Sequence, residues 1–372
     1  MKKIVTLAKF NIESLVAVRS LQCEDHALHN VPNVLTVVWN LGKRCNYDCS
    51  YCSPHVHDLV SPFVNLQDSL NFINVINTEV QKSNKKIKWA FTGGEPFVDP
   101  NFLTILDYLN NLSTTYQVNS ISNGSLPLET YVKSLEYLNG VTISLHLERR
   151  DKEILDTIKK ICELEKLGKG FINVNVMFLP GKMEQVKHII NILETHSVRY
   201  VIRRITPQVA VGDELSPYVG SKKKAVLKDI HKQKNTKFDY KLKNDVDSQQ
   251  VTYYNNEELA FIESRHKTSW QNCGLWDIDY NYQELNTDDL VSKDLHSFTN
   301  WICYAGVDSI FVDFDGSIYR GLCLNGKEIG HIRDQSKIFQ ENPTICGLQR
   351  CFCNTDIAIR KCKSINELPL IT

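Results

Sequence analysis

Between Val34 and Ile205 the sequence alternates between two kinds of segment, and this alternation restricts the fold more than any other feature. Short runs rich in β-branched and aromatic residues read as strands: VLTVVWN (34–40), IKWAFTG (87–93), YQVNSIS (116–122), VTISLHL (141–147), FINVNVMFL (171–179) and RYVIRRI (199–205). The intervening segments read as helices. LQDSLNFINVINTEV spaces Leu66, Leu70, Ile73, Val75 and Ile76 near the helical period of about 3.6. NFLTILDYLNNL, PLETYVKSLEYL, KEILDTIKKICELEKL and MEQVKHIINILETH read similarly. Pro100, Pro127 and Pro180 fall near element boundaries, where a residue without an N–H is tolerated. Such alternation predicts an α/β fold with a parallel sheet and right-handed crossovers, either an open, incomplete barrel or a doubly wound sheet. In both, the loops leaving the C-terminal ends of the strands carry the chemistry.

Four distinctive stretches fall on that predicted edge. KRCNYDCSYC follows the first strand, GGEP the second and SNG the third, and SLH closes the fourth. Cys45, Cys49 and Cys52 are close enough in sequence to meet at one metal centre. Two chemistries suit them. Zinc pairs cysteines at short spacing with further cysteines or histidines, and His55 and His57 follow. An iron–sulfur cluster takes one thiolate per iron, so three ligands leave one iron open to a small molecule. GGEP (93–96) by itself reads as a tight turn between strand and helix, as does Asn123-Gly124. Ser144 and His146 share strand parity and point to one face, as do Asn173, Asn175 and Met177 on the next strand. Arg203 or Arg204 on the last strand is a candidate carboxylate partner.

Composition removes several classes. The 372 residues carry 43 basic and 43 acidic side chains, so no global field draws the chain to nucleic acid or a membrane surface. No apolar run of about eighteen residues occurs, and no membrane span is expected. Lys9, Asn11 and Glu13 interrupt any signal-peptide core, which predicts a cytoplasmic, reducing location. There, clustered cysteines favour metal binding or catalysis over disulfides. Isolated Cys23 and Cys162 read as packed thiols. The lysine-rich stretch after Thr206, interleaved with acidic residues, reads as a solvated helix with connecting segments, and a nucleic-acid partner is not expected.

Cys45-x3-Cys49-x2-Cys52, with Tyr51 before the third cysteine and FTGGEP ending the second strand, resembles the signature of the radical S-adenosylmethionine (radical SAM) superfamily. The resemblance implies a partial (β/α)6 TIM-like barrel. It implies that Cys45, Cys49 and Cys52 hold a 4Fe–4S cluster whose open iron chelates SAM, and that an electron from the cluster cleaves SAM to methionine and a 5′-deoxyadenosyl radical. It further implies cofactor contacts from Tyr51, Gly93, Gly94, Glu95, Asn123, Ser144 and Arg203, with the backbone near the two glycines and Glu95 holding the SAM ammonium. No residue is singled out as catalytic.

Six of the twelve cysteines lie after residue 300: Cys303, Cys323, Cys346, Cys351, Cys353 and Cys362. Asp315-Gly316 between two β-rich runs predicts a hairpin flanked by Cys303 and Cys323. A structural zinc site is one reading of the cluster. The arrangement also resembles the SPASM and twitch extensions of radical SAM enzymes, which bind auxiliary 4Fe–4S clusters. The spacing departs from the full SPASM pattern CxxCx5CxxxC. One auxiliary cluster is therefore expected, held by four of Cys303, Cys323, Cys346, Cys351 and Cys353, with Cys273 and Cys362 as outside candidates.

The expected organisation is an N-terminal extension (1–33), a barrel (34–220), a helical connecting region (221–300) and a cysteine-rich iron–sulfur domain (301–372). The extension is too short for an independent leader-binding module. The leading expectation is a radical SAM enzyme that modifies a peptide, served by a reductant such as flavodoxin or ferredoxin. The alternatives are a small-molecule dehydrogenase, an RNA-modifying radical enzyme, and a non-catalytic iron–sulfur or zinc protein.

Overall fold

The computed structural model describes residues 3–4, 11, 14–21, 33–49, 51–52, 57–205, 254–265, 272–293, 295–334, 338, 340, 342–351 and 353–371. The lysine-rich stretch, Cys23 and His55 lie outside these residues. Strands in chain order are β1 (Lys3–Ile4), β2 (Leu15–Leu21), β3 (Val34–Asn40), β4 (Lys86–Thr92), β5 (Thr115–Ser122), β6 (Gly140–His146), β7 (Phe171–Phe178) and β8 (Arg199–Arg204). They continue with β9 (Asn272–Asp277), β10 (Asn281–Asn286), β11 (Ile302–Cys303), β12 (Ser309–Val312), β13 (Ser317–Tyr319), β14 (Gly330–His331), β15 (Thr344–Ile345) and β16 (Lys361–Cys362). The helices are α1 (Leu66–Lys82), α2 (Phe102–Asn110), α3 (Leu128–Ser134), α4 (Asp151–Leu167), α5 (Met183–Thr195), α6 (Asn256–Arg265), α7 (Thr287–Ser292), α8 (Asn354–Ala358) and α9 (Leu368–Ile371).

All six predicted strand runs are strands, and β3 to β8 pair in sequence order, every pair parallel. Helices α1 to α5 are the crossovers. Strand parity divides the sheet. Leu35, Val37, Trp39, Ile87, Trp89 and Phe91 are buried in the main core with Phe72, Ile73 and Ile76 of α1. Trp39 meets Phe72 edge-on at 5.1 Å between ring centroids, a favoured geometry for two quadrupolar rings. The opposite face is polar: register places Ser144 beside Asn175, and His146 beside Met177, which in turn flanks Arg203. Isolated Cys162 is buried in the same apolar core.

Strand pairing crosses the boundaries drawn from the sequence. The hairpin β12–β13 forms around Asp315-Gly316, and β12 adds in parallel to β3, so the barrel sheet runs β14-β13-β12-β3-β4-β5-β6-β7-β8. Asn40 and Asp313 then stand side by side at one sheet edge, with Asn40 Nδ2 donating to Asp313 Oδ1 at 3.3 Å. A second sheet, β1-β10-β9-β2-β16-β11-β15, joins the N-terminal segment to strands from 272–286 and from the cysteine-rich segment. Among the described residues no helix is long and apolar enough to cross a membrane.

Phe72 is fully buried and locks α1 to β3, so Phe72→Ala should lower unfolding free energy by about 3–5 kcal/mol. Urea denaturation checks this, and a loss near zero would place the core elsewhere.

Candidate metal and cofactor site

The cysteine loop leaves β3 and is held shut by backbone hydrogen bonds. Cys45 N–H donates to the carbonyl of Asp58 at 2.8 Å, and Asp58 N–H donates to Lys43 at 3.0 Å. The Asp58 carboxylate in turn accepts from the N–H groups of Val60 and Ser61. Within the loop, Cys52 N–H donates to the carbonyl of Cys49 at 3.1 Å. Cys45 and Cys49 are buried and Cys52 is half-buried.

The GGE turn after β4 is zipped to this loop. Gly94 N–H donates to Gly42 and Glu95 N–H to Arg44, at 2.8 and 2.9 Å. The approach excludes side chains. A Cβ at position 94 would lie 2.4 Å from the carbonyl oxygens of both Lys43 and Arg44. At position 93 it would lie 2.6 Å from the carbonyl of Gly42, on a backbone with φ of +130°. Glycine is needed at both places because another strand of main chain occupies the space.

Glu95 then ties this turn to the loop after β5. Its buried carboxylate accepts from Phe97 N–H at 3.1 Å, from Ser122 Oγ at 3.0 Å and from Asn123 N–H at 2.5 Å. Burial pushes its carboxyl up to about 7, against the pull of those three donors. Asn123 reaches back across the gap. Its Nδ2 donates to Asn46 Oδ1 at 2.9 Å and lies 3.6 Å from Cys45 Sγ. Ser125 Oγ donates to the same Asn46 oxygen at 3.2 Å.

The fourth strand supplies a wall. His146 Nδ1 lies 3.4 Å from Cys49 Sγ and meets the Tyr51 hydroxyl. Its ring stacks on Tyr51 at 5.8 Å and stands edge-on to Tyr47 at 5.9 Å. Burial, helped by Arg149, holds His146 down to about 4, so the imidazole is neutral at pH 7. Ser144 sits two residues earlier on the same face, beside Asn175. Arg203 Nε donates to Asn175 Oδ1 at 3.2 Å. Arg204, of opposite parity, lies against the Tyr254 ring at 5.4 Å. Parity thus separates two arginines that residue type alone does not.

The donor set can be tested against a metal group by its own electrostatics. Burial pushes the Cys49 and Cys52 thiols up, Cys52 to about 12; Cys45 raises both further, and Cys52 adds to Cys49. A cationic centre relieves both penalties. Among the described residues no three His, Cys, Asp or Glu side chains converge as a single ion requires. Tetrahedral zinc needs that convergence, whereas a cluster offering a separate iron to each thiolate does not. His57 pairs with Asp48 at 3.5 Å. Three thiols on one loop, two buried and one half-buried, are the donor type that an iron–sulfur cluster takes, one thiolate to each iron.

The C-terminal cysteines form a second group. Cys303, Cys346 and Cys351 are buried in one core with Cys273. Cys303, Cys323, Cys346 and Cys351 are electrostatically linked, each pushed up or pushing up another of the set. Cys353 is pushed up to about 12 by burial and by Asp356, and caps α8. Cys362 faces a different core with Trp276 and Tyr282. Two charged residues that the sequence did not single out stand here. The Asp356 carboxylate accepts from Cys323 N–H at 2.5 Å. Lys361 is fully buried, and the Cys303 and Cys351 groups raise its ammonium against the effect of burial. Both are charged types at positions without exposure, a placement that composition and periodicity do not reveal.

Residues 39–193 match the family model described as the radical SAM superfamily. That match runs from β3 into α5, somewhat under half of the chain. It is 26% identical over 175 residues to a GTP 3′,8-cyclase of Aliarcobacter butzleri, covering 44% of this chain and 52% of that protein. It is also 26% identical over 158 residues to human molybdenum cofactor biosynthesis protein 1, covering 39% of this chain and 24% of that one. The chain thus spans about half the length of the bacterial relative and less of the human one. Among solved structures, native anSMEcpe with bound AdoMet aligns with a TM-score of 0.49 at 14% identity, covering 81% of this chain and 78% of that one. Streptococcus suis SuiB bound to precursor peptide SuiA aligns at 0.48 and 15% identity, covering 81% and 63%.

Glu95 generates a pH prediction. Its carboxyl titrates near 4.5 when unfolded and about 7 when folded. In that window the unfolded chain releases the proton first, so Glu95's contribution to stability is full below the lower value and is lost as pH rises through the upper. The urea midpoint of wild type relative to Glu95→Gln should therefore fall from about pH 5 to about pH 7.5. A difference independent of pH would refute this reading of the carboxylate.

Proposed function

We propose that this chain is a radical SAM enzyme that modifies a peptide, with Cys45, Cys49 and Cys52 holding a 4Fe–4S cluster that leaves one iron for SAM. The observation that carries this reading is the welding of three loops at one sheet edge. The cysteine loop, GGE and SNG are joined through backbone bonds to Gly42 and Arg44 and through the Glu95 carboxylate. When bound, the cluster supplies the electron that splits SAM into methionine and a 5′-deoxyadenosyl radical.

The chain's own residues position and seclude that chemistry. Gly93 and Gly94 let the main chain of the cysteine loop pack directly against their turn, which fixes the loop that carries Cys45. Glu95 and Asn123 fix the loop that faces Cys45. Tyr51 and His146 cover Cys49 with two flat, stacked rings and limit access of water. Ser144 and Arg203 stand on the same inner face, and Arg203, anchored by Asn175, is a guanidinium suited to a carboxylate. Cys303, Cys323, Cys346 and Cys351 form the proposed ligand set of one auxiliary cluster. A flavodoxin- or ferredoxin-type reductant in a cytoplasmic setting suits thiols kept reduced.

The peptide assignment is supported by the cysteine-rich extension, which resembles SPASM and twitch segments. A second reading, a small-molecule substrate, is supported by curated relatives named GTP 3′,8-cyclase that match the barrel.

Anaerobically reconstituted, reduced protein should convert SAM to 5′-deoxyadenosine, and Cys45→Ala, Cys49→Ala or Cys52→Ala should lower that rate by at least ~100-fold. Turnover surviving the three substitutions would remove the proposed cluster from the reaction. Transfer of deuterium from a labelled candidate peptide, and not from a labelled nucleotide, into 5′-deoxyadenosine would support the peptide assignment.

A further inference from the structure

We propose that Lys361 is the built-in counter-charge of the C-terminal cluster, placed to raise that cluster's reduction potential. The inference rests on the reading of Cys303, Cys323, Cys346 and Cys351 as cluster ligands.

Three observations on different levels converge on this lysine. The first is register. In the antiparallel pair β11–β16, Lys361 lies directly opposite Cys303, so both side chains leave the same face of the sheet. The second is burial. Lys361 has no exposed surface, a rare placement for an ammonium group because it takes the charge out of water. The third is its fixing. Nζ donates to the carbonyls of Ile357 and Ile359 at 3.1 and 3.0 Å, and also to that of Asp356. Its ammonium lies 4.9 Å from the centre of the Phe298 ring. Three carbonyl dipoles at the end of α8 and one aromatic face hold the charge in a single position.

A helix-capping lysine is the plain reading, and such caps are common. An ordinary cap, however, sits at the surface with its head in water. Here the capped turn itself serves the cysteines. The Asp356 carboxylate accepts from Cys323 N–H, and the α8 residues Ile357 and Ala358 share a core with Cys303, Cys346 and Cys351. Lys361 therefore holds the segment that positions Cys323 while placing a full positive charge beside Cys303. A cluster held by four thiolates is anionic, and each electron it accepts adds another negative charge. Net local charge and burial are among the factors that set such potentials, and water does not screen a charge in this core. A fixed cation on the same sheet face as Cys303 favours the reduced state and eases electron uptake.

The test uses the full-length chain carrying C45A, C49A and C52A, which isolates the C-terminal signal. Its reduction is followed by electron paramagnetic resonance across an anaerobic potential titration, alone and with Lys361→Met or Lys361→Gln. Gln keeps a hydrogen-bond donor for the carbonyls but carries no charge. The expected result is iron content equal to the parent and a reduction equilibrium at least ~10-fold less favourable, a shift of about 59 mV to more negative potential for one electron. If only one neutral variant retains iron, that variant decides. An unchanged potential in an iron-replete variant overturns the inference while leaving the cluster reading intact. Loss of iron from both neutral variants assigns Lys361 to holding α8 and overturns it as well. A parent chain with no C-terminal signal overturns the cluster reading and the inference with it.

Discussion

A carboxylate with almost no access to water joins the second and third strand-end loops. Glu95 accepts one N–H from its own turn, a hydroxyl from the last residue of β5 and an N–H from the residue after it. Because the backbone at Gly94 and Glu95 is simultaneously bonded to the cysteine loop, three segments distant in sequence are tied into one hydrogen-bonded network. The arrangement is costly in isolation, since burying a carboxylate disfavours its charge. It is sustained by donors that would themselves be orphaned if the acid were removed. That group fixes Asn123, and Asn123 in turn donates to Asn46 beside Cys45.

The barrel was legible in the sequence because its signals are local. Each strand run announces itself within about seven residues, and each crossover helix carries its own period. The parity of Ser144 with His146, and of Asn173 with Asn175, could be counted directly. The arginine on the inner face needed more, since Arg203 and Arg204 are adjacent and chemically identical. Only the register of β8 against β7, which sets Arg203 beside Met177, brings its guanidinium within reach of Asn175.

What escaped the sequence depends on partners far along the chain. The hairpin around Asp315-Gly316 was visible, but its docking against β3 was not, because edge-to-edge pairing leaves no periodicity in either strand. The same holds for β2, whose neighbours are β9 and β16. Lys361 was hidden for a different reason. Residue type predicts a solvated lysine, and only the three-dimensional placement of Asp356, Ile357 and Ile359 shows where its hydrogen bonds go.

The pairing of β12 with β3 also bears on how the molecule is made. Asn40 and Asp313 are 273 residues apart, so during synthesis the flank of the first barrel strand stays open until the β12 segment has left the ribosome. An open strand flank is a template for pairing with other chains, and contacts of such long range form slowly. The nascent protein therefore passes through a stage in which five crossover units are complete and one margin of the sheet is still uncovered. Truncation before residue 309 would make that stage permanent.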